Sequence, residues 1–142
     1  MTRREMREHT FRLLFLKEFY NEEDLGGQVR LYLEEFEDMP EEAKEELGTR
    51  VRQIYARVEE LDGQINDVAE GWKTRRMGKV DLTIIRLALY EILHDDAVPE
   101  KVAINEAVEL AKKFGGDDSP SFINGVVSDT TITLPPPSFL TV

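Results

Sequence analysis

Apolar residues recur at spacings of three and four along almost the whole of this chain, and this periodicity constrains the fold more than any other feature. Side chains three or four positions apart share one face of an α-helix, whereas a half-buried strand needs strict alternation. Residues 1–128 carry no convincing strand or hairpin pattern. The sequence therefore predicts an all-α domain of about seven helices joined by short loops.

The clearest helix pattern is a central segment that begins near Asp81 and is apolar over most of its circumference, which predicts burial on several sides. The other predicted helices cover residues 4–20, 28–37, 41–61, 65–69, 102–114 and a last segment that Phe122 opens. Glycine and proline interrupt the pattern and predict helix ends, at Gly26-Gly27, Met39-Pro40, Asp62-Gly63, Gly71 and Gly115-Gly116.

The segment after Ser128 departs from the helical pattern. It carries β-branched residues and then Pro135-Pro136-Pro137, and proline lacks the amide donor that a helix interior needs. We expect the last helix to end near Asp129. The chain then divides into a helical domain, residues 1–129, and an atypical proline-rich tail, residues 130–142, that is extended, disordered or held by a neighbour.

Composition narrows the class of protein. The 142 residues include no cysteine, so disulfides, a thiol nucleophile and a zinc–thiolate site are excluded. No apolar run approaches the roughly 20 residues of a membrane span, and the N-terminus lacks the apolar segment of a signal peptide. We expect a cytoplasmic protein without a membrane partner. The net charge of −11 disfavours indiscriminate nucleic-acid binding, although charge is unevenly spread.

Recognisable catalytic constellations are missing from the sequence. His9 and His94 lie far apart without metal-ligand spacing around either, and Ser119 and Ser121 lack the context of a nucleophile elbow. Gly115-Gly116 closes a helix instead of leading into one, unlike a phosphate-binding loop. We therefore expect no enzymatic activity, no metal and no cofactor.

The first helix opens with a cluster of arginines, Arg3, Arg4 and Arg7, of which Arg3 and Arg7 share one helix face. Guanidinium groups suit phosphate oxygens and stack on bases, but the helix dipole disfavours positive charge in a first turn. An arginine cluster placed against the dipole does not stabilise the helix and needs another reason, and phosphate binding is the function that it indicates. Ordinary solubilising charge, offset by Glu5 and Glu8, is the alternative interpretation.

A second cluster surrounds the turn between the last two helices. Phe114 ends one helix and Phe122 opens the next, and lysines accompany them at Lys101, Lys112 and Lys113. Aromatic rings beside cations are typical stacking platforms for unpaired bases. The rings could instead simply pack the corner. Asp117 and Asp118 weaken phosphate binding nearby, and either cap the following helix or tune selectivity.

These motifs resemble the NusB family. The match is carried by "KVAINEAVELAKKFG" followed by "FINGVV", by "RLALYEIL", by Gly71-Trp72 and, more weakly, by the arginine-bearing first helix. It covers about residues 3–129. The resemblance implies two small helical bundles and a non-enzymatic protein. It further implies binding of single-stranded boxA RNA together with NusE, which is also a small-subunit ribosomal protein. The pair joins the RNA polymerase elongation complex and promotes antitermination, notably on ribosomal RNA operons.

The resemblance also assigns residues to both ligands. Those implied in RNA contact are Arg3, Arg4, Arg7, Lys101, Phe114, Asp118 and Phe122. Those implied in NusE contact are Phe15, Arg76 and Asp81. We expect the first helix and the late corner to form one RNA surface. The chain departs from the family at Glu5, where relatives can carry another arginine, and in the C-terminal stretch from Ser128 to Val142.

Two other functions are compatible with the sequence. A protein–protein adaptor or self-associating helical domain, including a homodimer, would suit the acidic stretch of residues 22–46 and would need no RNA. A helper module for an RNA-modifying enzyme is a further interpretation, because NusB-like domains also occur fused to RNA methyltransferases. No catalytic domain accompanies the helical pattern in this sequence, which disfavours the last interpretation.

Overall fold

The structure is a computed structural model that describes residues 1–68 and 73–134. Within these residues the regular structure is entirely helical, which confirms the predicted all-α class. The seven α-helices are α1 (Arg3–Phe15), α2 (Glu22–Glu34), α3 (Glu41–Tyr55), α4 (Val58–Val68), α5 (Lys79–His94), α6 (Glu100–Phe114) and α7 (Ser119–Thr133). Short 3₁₀ turns cover Leu16–Glu18 and Thr74–Arg76. The predicted motifs at Gly71-Trp72 and Pro135-Pro136-Pro137 lie outside the described residues.

The chain forms two compact units, Met1–Ala56 with α1 to α3 and Arg57–Val142 with α4 to α7. This division agrees with the two small helical bundles that the resemblance implies. Each unit has its own apolar core.

The Met1–Ala56 unit is built on the packing of α1 against α3. Leu13 and Ile54 are fully buried between these helices, and the Tyr55 hydroxyl donates a hydrogen bond of 2.5 Å to the carbonyl of Leu13. Helix α2 buries only Leu25. It is held to α1 through the side chain of His9, whose Nδ1 lies 2.7 Å from the Tyr32 hydroxyl.

The Arg57–Val142 unit is organised around α5, in which eleven of sixteen residues are buried. Such all-round burial was predicted from its apolar circumference, and Asp81 lies in its first turn as predicted. Small and branched side chains of α6 and α7 pack alongside it. Arg86 of α5 forms a two-point ion pair with Asp62 of α4, with Nε–Oδ1 and Nη2–Oδ2 distances of 2.8 and 2.6 Å.

Two predicted helix breaks are wrong. Gly26-Gly27 lies inside α2 and Asp62-Gly63 inside α4, and no described glycine has a positive φ. Glycine in a helix interior costs only about 1 kcal/mol relative to alanine, so favourable packing and capping elsewhere in the helix outweigh it. Asn21 caps the start of α2, because its side chain accepts a hydrogen bond of 3.0 Å from the Asp24 amide.

The predicted end of the last helix near Asp129 is also wrong, because α7 continues to Thr133. The end was predicted too close to the N-terminus because β-branched residues have reduced helix propensity. The threonine hydroxyls nevertheless fit the helix. Thr130 and Thr131 donate hydrogen bonds of 2.7 and 2.6 Å to the carbonyls four residues earlier, and Thr130 is buried. The division into residues 1–129 and 130–142 stays a prediction.

The contact between His9 and Tyr32 predicts a pH-dependent stability. Burial first, and then the Arg12 charge, lower the pKa of His9 below its ordinary value of 6.5, although Glu8 and Glu5 oppose this. The folded state therefore favours the neutral imidazole. The contribution of the neutral His9 imidazole to the free energy of unfolding is complete above pH 6.5. It declines as pH falls toward the lowered pKa, because the unfolded chain then binds a proton more readily than the folded one.

This dependence is measurable by urea unfolding at about pH 7.5 and about pH 5, on either side of the ordinary histidine pKa. We expect His9→Gln to lose less stability between the two pH values than the unsubstituted protein. His94→Gln should behave likewise, since burial, followed by Arg57, lowers the pKa of His94. Equal losses in all three proteins would contradict the assignment.

Candidate functional site

The arginine-bearing start of α1 is closed by a capping box. Thr2 Oγ1 accepts a hydrogen bond of 3.1 Å from the Glu5 amide, and the Glu5 carboxylate accepts one of 3.5 Å from the Thr2 amide. Glu5 thus places negative charge at the positive helix end. Arg3 and Arg4 are exposed and Arg7 is half-buried, so this end presents guanidinium groups on a locally stabilised helix.

The corner between α6 and α7 is a tight polar turn. The Gly115 amide ends α6 by donating to the Ala111 carbonyl at 2.9 Å, and the Gly116 amide donates to Ser119 Oγ at 3.0 Å. Asp118 occupies the N-cap position of α7 as predicted, but its side chain makes no capping hydrogen bond. Its exposed carboxylate is therefore not used to start the helix.

Phe114 and Phe122 flank this turn and are both half-buried. Each ring is therefore anchored in the unit while part of its surface stays accessible, as a stacking platform requires. The Lys113 ammonium lies 5.6 Å from the centroid of the Phe114 ring, within cation–π range. Lys101, at the start of α6, is exposed.

A cavity of about 410 Å³ lies beside this corner. It is lined by Asp118 and Phe122 from the set implied in RNA contact, and by Arg76 and Asp81 from the set implied in partner contact. Asp117 also lines it, so the lining residues include three aspartates and one arginine. Such a cavity repels phosphate and favours groups that carry N–H donors or positive charge. Phe114 and Lys101 are not among its lining residues.

Phe15 belongs to a ladder of three rings along the end of α1 and the following turn. Its centroid lies 5.9 Å from that of Phe11, in a stacked arrangement, and 5.1 Å from that of Phe19, edge to face. Exposure rises along the ladder, from 3% at Phe11 to 63% at Phe19. Phe19 is a candidate contact residue that the sequence analysis did not single out, although its spacing of four from Phe15 signals it.

The sites implied by the resemblance divide between the two units. Arg3, Arg4, Arg7 and Phe15 belong to Met1–Ala56. Lys101, Phe114, Asp118, Phe122, Arg76 and Asp81 belong to Arg57–Val142. The cavity brings four of the second group together, whereas the single RNA surface expected from both clusters stays a prediction.

In residues 1–68 and 73–134, no three His, Asp or Glu side chains are grouped so that they could hold a metal ion. Over the same residues no helix combines the length and apolar character needed to cross a membrane.

Comparison with known proteins identifies the family. The NusB family model matches residues 4–131. Two proteins named transcription antitermination protein NusB, from Lachnoclostridium phytofermentans and Agathobacter rectalis, are 52% and 46% identical over 128 residues; each alignment covers 90% of this chain, and 97% and 98% of the respective relative. A solved structure of T. maritima NusB has a TM-score of 0.82 at 35% identity, covering 96% of this chain and 94% of that one. This chain therefore belongs to the NusB family.

Proposed function

We propose that this protein acts in transcription antitermination by binding boxA-type single-stranded RNA together with NusE, and that it joins the RNA polymerase elongation complex, notably on ribosomal RNA operons. Its role is non-catalytic and cytoplasmic. The names of its relatives support antitermination. The observation that most supports RNA binding is the cavity at the corner, which Phe122 and Asp118 line together with Arg76 and Asp81.

The chemistry of the corner suits unpaired bases better than a phosphate backbone. Phe114 and Phe122 are half-buried aromatic residues, and stacking on such a ring is worth about 1–3 kcal/mol per base. Asp118 can accept hydrogen bonds from base amino or imino groups while repelling phosphate. Contacts to the RNA phosphate backbone are then assigned chiefly to Arg3 and Arg7 of α1. Arg4 of the same helix and Lys101 of α6 support them.

NusE contact is assigned to Phe15, Arg76 and Asp81. Arg76 and Asp81 share their cavity with the RNA residues Asp118 and Phe122. A protein partner that engages the first pair therefore alters the electrostatic surroundings of the second. On this proposal the carboxylates make RNA binding weak for the protein alone, and the partner supplies the compensating charge.

Fluorescence anisotropy with a labelled boxA-type RNA, with and without NusE, tests the proposal. Phe122→Ala should weaken RNA binding in the ternary mixture by about tenfold or more, because one stacking contact is lost. Ile132→Ala is the matched control on the same helix, since this side chain is 81% exposed and lies outside the corner. The absence of RNA binding even with NusE present would refute the proposal.

The salt dependence of RNA binding distinguishes contacts to the RNA phosphate backbone from contacts to the bases. Arg7→Ala should flatten the slope of log K against log salt by about 0.7–1, the value for one phosphate contact. Arg30→Ala removes the same charge from the exposed side of α2 and should leave the slope unchanged. Equal slopes for Arg7→Ala and the unsubstituted protein would remove Arg7 from the RNA surface.

A protein–protein adaptor without RNA binding is the second candidate. The exposed Phe19 ring beside Phe15 favours it, because an apolar ladder that ends in solvent suits a protein surface. The two functions separate in the same experiment. An adaptor would bind NusE, or itself as judged by light scattering over a range of concentrations, and would leave the anisotropy of the RNA unchanged.

A further inference from the structure

A second cavity, of about 440 Å³, lies within the Met1–Ala56 unit, and none of the residues assigned above to RNA or NusE lines it. It is enclosed by the segment after α1, the first turns of α2 and the second half of α3. Its volume falls within the range of about 300–1,000 Å³ that small-molecule sites occupy. Most of its wall is apolar, with Leu25, Val29 and Val51 among the lining residues.

Two glycines on facing helices leave this space open. Gly26 of α2 and Gly48 of α3 both line the cavity. A Cβ atom placed at Gly26 would meet nothing within 4 Å, and one at Gly48 would meet only the Arg52 guanidinium, at 3.4 Å. Neither position has the positive φ that requires glycine. Glycine costs a helix about 1 kcal/mol relative to alanine, so close packing and backbone geometry do not account for these two residues.

The polar side chains that line the cavity fall into three groups. The Tyr55 hydroxyl donates to the Leu13 carbonyl and the Asn21 amide oxygen caps α2, so the fold itself uses both of these groups. Tyr20 is 39% exposed and adds an aromatic ring, and the other polar side chains are charged. Lys17 and Arg52 are exposed cations that line the cavity, accompanied by the single carboxylate of Glu22.

The two cations are not neutralised by ion pairs within the described residues. Arg52 Nη2 donates to Thr49 Oγ1 at 3.3 Å, and its guanidinium lies across Gly48 at the wall of the cavity. No carboxylate of residues 1–68 or 73–134 forms an ion pair with either cation. The chain's net charge of −11 disfavours anions in general, but the combination of an apolar cavity with two local cations favours an anion with an apolar body at this place.

We infer that this cavity binds a small apolar molecule that bears one carboxylate, with the apolar body between α2 and α3 and the carboxylate at Lys17 and Arg52. Arginine offers the paired donors that suit a carboxylate, and lysine adds a second positive charge. The inference is independent of RNA binding, so its failure would leave the proposed function unchanged.

NMR titration of the isotopically labelled full chain with 4-phenylbutyrate tests this inference. We expect amide shifts concentrated at Leu25, Gly26 and Gly48. The alcohol 4-phenylbutanol has the same apolar body without charge and should bind about tenfold or more weakly, and 4-phenylbutylamine more weakly still. Equal affinity for all three probes, or shifts that avoid these residues, would overturn the inference.

Substitutions separate the two halves of the site. Gly26→Leu fills the cavity and should abolish binding of both phenylbutyrate and phenylbutanol. Gly27→Leu is the matched control, because Gly27 lies on the same helix in open space and does not line the cavity. The double variant Lys17→Gln with Arg52→Gln should remove the preference for the carboxylate and leave alcohol binding unchanged. Unaltered phenylbutyrate affinity in Gly26→Leu, or in the double variant, would overturn the inference.

Discussion

Gly115→Ala is expected to destabilise the Arg57–Val142 unit by about 1–3 kcal/mol, the range for overpacking. A Cβ atom at this position would lie 2.6 Å from both Cβ and Oγ of Ser119 and 2.9 Å from the Ala111 carbonyl oxygen. Relief of this overlap requires α6 and α7 to separate, since two of the three atoms belong to a buried residue of α7. Urea unfolding followed by circular dichroism measures the loss.

Gly116→Ala is the matched control for this substitution. The next residue in the same turn has nothing within 4 Å of an added Cβ, so its stability should change by no more than about 0.5 kcal/mol. Because the turn also positions Asp118 and Phe122, Gly115→Ala should weaken RNA binding while Gly116→Ala should not. Equal unfolding free energies for the two variants would show that the turn accommodates the added Cβ atom at residue 115 without loss of stability.

Asp62→Ala is expected to cost about 2–4 kcal/mol of unfolding free energy, somewhat less than the 3–5 kcal/mol for breaking a fully buried pair. The side chains of Arg86 and Asp62 are only 12% and 23% exposed, so solvent compensates the guanidinium poorly after the carboxylate is removed. The two hydrogen bonds also fix α4 against α5. Equilibrium unfolding in urea measures the effect.

Two further variants define the source of that loss. Glu109→Ala breaks the ion pair between Glu109 and Lys112, whose side chains are 47% and 59% exposed, respectively. This substitution should cost less than about 1 kcal/mol of unfolding free energy. Asp62→Ala combined with Arg86→Leu removes both charges and should recover part of the loss. A cost for Asp62→Ala as small as that for Glu109→Ala would show that this pair is screened like a surface pair.

Local sequence signals predicted the helical class and the central helix that begins near Asp81. The same signals failed at Gly26-Gly27, because a glycine ends a helix only where the backbone must leave helical geometry, and here it does not. Asn21 followed by Asp24 was the better signal, that of an N-cap at the start of α2. The end of α7 was misplaced because threonine side chains bonded their own helix instead of interrupting it.

The candidate site was only partly accessible from the sequence. Helix spacing placed Arg3 and Arg7 on one face, and the glycine pair placed Phe114 and Phe122 on either side of one turn, since both relations are local. Arg76 and Asp118 lie far apart in the sequence, and no local rule joins them in one cavity. The resemblance assigned them to different ligands. Their shared cavity depends on how α5 meets the start of α7, which is a tertiary property.

The shallow attachment of α2 has a kinetic consequence. Helix α2 buries only one apolar side chain, Leu25, and is otherwise held mainly by the contact between Tyr32 and His9, so its amides should exchange hydrogen with solvent faster than those of α5. Such opening uncovers the cavity beneath it without unfolding α1 and α3. The speed at which a carboxylate ligand enters and leaves would then be set by the breathing of α2, and a faster association after Leu25→Ala would reveal it.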